Sequence, residues 1–239
     1  MVNKKIKAIE NKEDAIIFLN QLIILIDKRM MRLKRSIMDL EDELKRCNEN
    51  EKRVQTDAYH RLSESIECLT NYLFNLFSDE TKTAVSYKQF RNILKKKAKQ
   101  GHQEFQLDEL ESDIVKLLNE FRDMRNWSHH VPQSVFNSQL DYMKEQVGLP
   151  SDFVRFNFSS EIIAVLTWNY HEIAWLHELQ HNVTKLYQYF TKVFQRMKKD
   201  YSKLIGTSVR IIREKQSIPR PHDFRLIAEN SFLINTGKK

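Results

Sequence analysis

An all-α fold, an antiparallel helical bundle with long helical extensions, is predicted by three observations. The 239-residue chain carries only four glycines and four prolines, too few for the tight turns that a strand-rich fold needs. Hydrophobic residues make up 41%, enough to fill a core and to argue against global disorder. Apolar residues recur at three- and four-residue spacing over most of the length, the period of a helix with one buried face.

The first helix is expected over 13–49, on the stripe Ile16, Leu19, Ile23, Ile26, Met30, Leu33, Ile37, Leu40 and Leu44. Its second half is dense in charge and reads as a solvated or coiled-coil arm. The pattern breaks over 48–55. A second helix follows over 56–77 with Leu62, Ile66, Leu69, Leu73 and Leu76 inward, then a loop over 78–86. Residues 87–100 form a short basic helix that Gly101 ends. Asp108, with Glu111 three positions on, is expected to cap the next helix. There Leu107, Leu110, Ile114, Leu117, Phe121 and Met124 make the buried stripe. A helix over 133–147, a brief extended segment over 153–158 and a long helix over 159–205 complete the pattern. The seam of that last helix is Ile162, Leu166, Ile173, Leu176, Val183, Tyr187, Phe190, Phe194 and Met197. Three regions result: an N-terminal arm over 1–54, a bundle over 55–205, and an irregular basic tail over 206–239.

Net charge is +7, from 39 basic against 32 acidic residues, with a pI near 9.2. Such a balance favours a polyanionic partner through phosphate contacts. Cys47 and Cys68 have neither disulfide density nor metal-ligand spacing, which fits free thiols in a reducing compartment. Residues 1–12 lack a signal peptide's apolar stretch. The longest apolar run, Ala15 to Ile26, contains Asn20 and Gln21 and is too short to cross a bilayer. A soluble, cytoplasmic protein with no membrane partner is therefore expected. No glycine-rich phosphate loop is present, which argues against nucleotide hydrolysis.

The chemistry-bearing stretch is Phe121-Arg122-Asp123-Met124-Arg125-Asn126-Trp127-Ser128-His129-His130. Arginine brings a permanent charge and a planar fork of donors matched to phosphate oxygens. Histidine both takes and gives a proton near neutral pH. Pro132 disfavours helical geometry at Val131, so the motif falls where a helix bends or ends. His129 lies four positions after Arg125, which on an unbroken helix would face it better than His130.

Arg125, Asn126 and His130 match the R-x4-H signature, with Asn or Asp after the arginine, and so resemble the HEPN superfamily of helical ribonucleases. The resemblance spans residues 55–200, with its specificity concentrated in Arg122 to Pro132. It implies a bundle of HEPN type working as a homodimer, in which two copies of the motif meet around one RNA phosphate. It also implies a metal-independent endoribonuclease without a cofactor. Arg125 would hold the phosphate, His130, ahead of His129, would move protons, and Asn126 would orient the pair. Arg122 and the cluster Lys95, Lys96, Lys97 and Lys99 are candidates for holding RNA. Relatives of this kind serve in phage defence, abortive infection or toxin–antitoxin systems, so an antitoxin or regulatory protein is an implied partner. A non-catalytic scaffold that binds a partner protein through its long helices is the alternative.

A rival motif, His177-Glu178-Leu179-Gln180-His181, spells the H-E-x-x-H of zinc peptidases. Catalytic zinc needs a third protein ligand. Tyr187 occupies the place of a third histidine, and no Glu, Asp or His occurs over 183–198. On a helical wheel His177 and His181 fall with Thr184, Lys185 and Gln188, away from the apolar seam. A zinc metallopeptidase, with His177 and His181 as ligands and Glu178 activating water, therefore ranks behind both other readings, and no metal site is assigned. Trp127, Trp168 and Trp175 are expected to be buried or interface aromatics.

Overall fold

Helices dominate the computed structural model, which describes residues 9–47, 52–126 and 169–213. The described elements are α1 (Lys12–Arg46), β1 (Arg53–Gln55), α2 (Thr56–Ser78), α3 (Tyr87–Lys99), a 3-10 turn (Gln103–Phe105), α4 (112–126), β2 (Tyr170–Glu172) and α5 (Ile173–Ile205). The all-α expectation holds. Residues 208–239 form a second unit, whose described residues, 208–213, contain no helix or strand. The expected helix over 133–147, the extended segment over 153–158, and the tail beyond 213 lie outside the described residues. No described helix is long and apolar enough to cross a membrane.

Asn11 starts α1 through a capping box: its side chain accepts from Asp14 N at 2.9 Å, and Asp14 accepts from Asn11 N. The predicted stripe is buried at Leu19, Ile23, Ile26, Met30, Leu33, Ile37 and Leu40. Burial of Leu33, Ile37 and Leu40 makes the charge-dense half of α1 a wall of the bundle rather than a projecting arm. Charges here occupy the outer face while every third or fourth residue still packs inward.

Helix directions follow from cross-helix contacts. Arg29 lies over the Tyr72 ring, 4.1 Å from its centroid, and Ser36 bonds Ser65, so α1 and α2 are antiparallel. Tyr59 lies against His171, just before α5, and Phe74 against Phe190, so α2 and α5 run in the same direction. Asn20 meets the Tyr201 hydroxyl at 3.1 Å, in keeping with an antiparallel α1–α5 pair.

At the centre, Phe74, Phe77, Phe121 and Phe190 form one aromatic cluster with ring centroids 4.9–5.8 Å apart. It binds α2, α4 and α5 together. Such buried rings each contribute a few kcal/mol by removal of apolar surface alone, roughly 25 cal/mol per Å².

Two further expectations are corrected. The long C-terminal helix does not run unbroken from 159: β2 pairs antiparallel with β1, Val54 opposite His171, and α5 begins at Ile173. Thr56 N bonds Asn169 O and Ile173 N bonds Lys52 O, closing the two ends of this ribbon. Asp108 is not a helix cap. The helix starts four residues later, with Val115 N bonded to Glu111 O at 3.1 Å. The Asp108 carbonyl instead accepts from Arg91 and Arg196, and the 107–111 segment is neither helix nor strand. At the far end of α5, Gly206 adopts φ +76° and donates to Ser202 O, the left-handed cap that glycine permits.

Candidate functional site

Arg125 lies one turn beyond Phe121, so the aromatic cluster fixes the stretch of α4 from which it projects. Its Nε donates to Asn75 Oδ1 at 2.8 Å, and a terminal nitrogen meets Asp79 Oδ2 at 3.1 Å. Each acceptor is itself held. Asn75 donates from its amide to Asn71 O at 2.9 Å, and Asp79 accepts from Thr81 N through its other oxygen at 2.9 Å. The Ser86 hydroxyl, which caps α3, donates to the Asp79 carbonyl. The side chains of Arg125 and Asp79 are 19% and 17% exposed. A guanidinium gripped at two edges by residues with fixed rotamers is a stationary cation near the protein surface.

The other members of the motif fall differently. Asn126 is exposed. Arg122 is partly exposed and pairs with its neighbour Asp123 at 3.1 Å, on the solvent face. His129, His130, Trp127 and Trp168 lie outside the described residues. The structure thus brings Arg125 together with Asn75 and Asp79, two polar residues of the α2 end that the sequence reading did not single out. A polar residue at the end of an amphipathic helix carries no periodic signal, so it is invisible until the partner helix is placed.

On α3, Lys95, Lys96 and Lys99 are exposed. Lys97 is set apart: its ammonium lies over the Phe105 ring, 5.2 Å from the centroid, and reaches the Glu10 carbonyl. The four lysines therefore do not act as one surface. His177, Glu178 and His181 are exposed on α5, and no group of three or more ligating side chains lies within metal-binding range among the described residues. Trp175 is half exposed, at 49%, and packs against His171 and Tyr59, so of the two expected settings, buried or interface, the first does not hold. Met124, expected inward, is 45% exposed.

A second polar constellation was also missed. Asp200 of α5 is buried and accepts from the Tyr87 hydroxyl at 2.7 Å. Arg91 pairs with it from α3, and Arg196 from one turn earlier on α5 at 3.0 Å. Arg196 also reaches Glu111 at 3.1 Å and the Asp108 carbonyl at 2.9 Å. Burial pushes the Tyr87 pKa well up, and the adjacent Asp200 charge adds to the rise. Burial works against the charged form of Arg196, but Asp200 and Glu111 outweigh it and hold its pKa up. A carboxylate that compensates two arginines is a polar knot tying α3, α5 and the 107–111 segment. Its sequence signal was present: Arg196 and Asp200 interrupt the stripe of Val193, Met197 and Leu204 at helical spacing.

No family model, no curated protein and no solved structure matches this chain.

Proposed function

We propose that the chain is a metal-independent endoribonuclease of HEPN type. The observation that supports this most is the anchored guanidinium of Arg125, a fixed cation at the head of the R-x4-H motif. In the proposed reaction an RNA 2′-hydroxyl attacks the adjacent phosphorus while its proton passes to one imidazole. The bond to the 5′-oxygen breaks, and that oxygen receives a proton from a second imidazole. The products are a 2′,3′-cyclic phosphate and a free 5′-hydroxyl. His130 moves the protons, with His129 its alternate, and Asn126 orients it. Arg125 stabilises the charge on the phosphorane. Two subunits of a homodimer supply the two histidines. Arg122 and the exposed Lys95, Lys96 and Lys99 serve as RNA contacts, Lys97 being turned to Phe105 and the Glu10 carbonyl. A cytoplasmic role in phage defence, held in check by an antitoxin or regulatory protein, accompanies this reading.

Incubation of RNA with the protein in EDTA, with analysis of the product ends, tests the proposal. It requires 2′,3′-cyclic phosphate ends and no cut at a linkage whose 2′-hydroxyl is replaced by hydrogen. Cleavage at the 2′-deoxy linkage excludes it.

A second reading, a non-catalytic scaffold, draws on α1. Ile17, Ile24, Met31 and Met38 recur every seven residues and are 54%, 39%, 38% and 52% exposed, the spacing of a coiled-coil seam. The anchoring of Arg125 by Asp79 is then a purely structural tie between α2 and α4.

A further inference from the structure

Between α3, the 3-10 turn and the start of α4 lies a cleft of about 600 Å³, within the usual range of about 300–1,000 Å³ for small-ligand sites. One stripe of α3 lines it with Lys88, Arg91, Asn92, Lys95 and Lys99. Apolar lining comes from Leu94 and Ala98 of α3, from Leu107 and Leu110 of the connecting segment, and from Val115 and Leu118 of α4. The cleft therefore sets cations beside hydrocarbon.

The four cations are not equivalent. Lys88 is paired with Glu80 and bonded to Asn119, and Arg91 is held by Asp200. Lys95 and Lys99 are exposed and have no hydrogen bond or ion pair among the described residues. They stand one helical turn apart, on the same face, so two ammonium groups can converge on a single phosphate. The amides of Asn92, Gln103 and Gln106 also line the cleft, each offering donors and an acceptor. These amides are exposed, and a nucleobase edge carries donors and acceptors that match them, which an aliphatic chain lacks. Glu109, the single acidic lining residue, repels phosphate and accepts from an exocyclic amino group.

We propose that this cleft binds one nucleotide, its base against Leu107, Leu110 and Val115 and its phosphate between Lys95 and Lys99. The same chemistry is offered by a free mononucleotide and by one unit of a single strand. The site is separate from Arg125, and its occupancy does not require His130.

The test is equilibrium binding of the full chain to two probes: free AMP, and an oligoadenylate fully 2′-O-methylated so that it cannot be cleaved. Ala98→Trp and Val115→Trp each place an indole in the cleft without removing a cation, and circular dichroism verifies their folding. The proposal expects at least tenfold weaker binding in either variant. It expects a similar loss, with a log–log salt slope reduced by about one, in Lys95→Ala/Lys99→Ala. Binding of both probes assigns the site to nucleotides in general, and binding of the strand alone assigns it to a unit of single-stranded RNA. Failure of both probes to bind overturns the proposal. So does wild-type affinity in folded Ala98→Trp and Val115→Trp, since the contact is then charge on an open surface. Because the strand is uncleavable, either result stands whether or not the protein is a nuclease.

Discussion

The Tyr87 hydroxyl donates to the Asp200 carboxylate across 2.7 Å, with both side chains buried between α3 and α5. Two arginines flank the same carboxylate. Removal of the carboxylate leaves Arg91 without its ion pair and Arg196 with Glu111 alone, and breaking comparable buried pairs costs about 3–5 kcal/mol. Asp200→Ala is therefore expected to bring the fold close to its unfolding threshold, read as a lowered urea midpoint. Tyr87→Phe deletes the bond to Asp200 and the longer one accepted from Arg91 at 3.4 Å, with about 1.5–3 kcal/mol expected for the bond to the carboxylate. A wild-type midpoint in Asp200→Ala contradicts the assigned role.

Arg125 ties α4 to α2 through Asn75 and Asp79. A double-mutant cycle with Arg125→Met and Asp79→Asn is expected to give a coupling of about 1–2 kcal/mol in urea unfolding. Arg125→Lys keeps the charge but cannot grip two acceptors at once, so it recovers only part of that stability. Additive effects of the two substitutions would mean that the contact is not energetically coupled.

The acid response is set by carboxylates at the start of α4. A hydrogen bond from Lys203 lowers the Asp108 pKa below its ordinary 3.8, and one from Lys192 does the same for Asp113. Glu111 is held below 4.5 by its own backbone N–H and then by Arg196. Each folded-state pKa lies below the unfolded one, so the folded protein binds fewer protons in acid. The stabilisation is complete above about pH 4.5 and is lost as the pH falls through the folded values. The urea midpoint is expected to drop between pH 5 and pH 3. Lys192→Met and Lys203→Met flatten the drop, and salt reduces it because Asp108 and Asp113 are exposed.

Much of this architecture was legible because it rests on periodicity. Leu19 to Leu40, Leu62 to Leu76, and Leu176 to Met197 each repeat a helical stripe, and the buried faces fall where those stripes put them. What escaped detection has no period. β1 and β2 are three residues each, too short for alternation to register, and they form through pairing of distant segments. Asp108 has the sequence of a helix cap, yet Arg91 and Arg196 take its carbonyl and delay the helix. Asn75 and Asp79, the partners of Arg125, become visible only when α2 and α4 are set side by side.

Gly206 ends α5 in the left-handed region with open space around it. Substitution by alanine meets no clash, so its cost is conformational alone, about 1–2 kcal/mol. Gly206→Asn is expected to cost less, since asparagine tolerates this geometry. Thermal unfolding of the two variants checks the order, and an unchanged Tm for Gly206→Ala contradicts it.

The central claim is that Arg125 and His130 cut RNA without metal, and the direct measurement is cleavage of total RNA in EDTA by wild type, Arg125→Lys and His130→Ala at equal folded concentration. The account predicts cutting by the wild type, a loss of about 10²-fold or more in His130→Ala, the lower end for removal of a proton-transfer group, and a large loss in Arg125→Lys. Equal cleavage by wild type and a folded His130→Ala contradicts it.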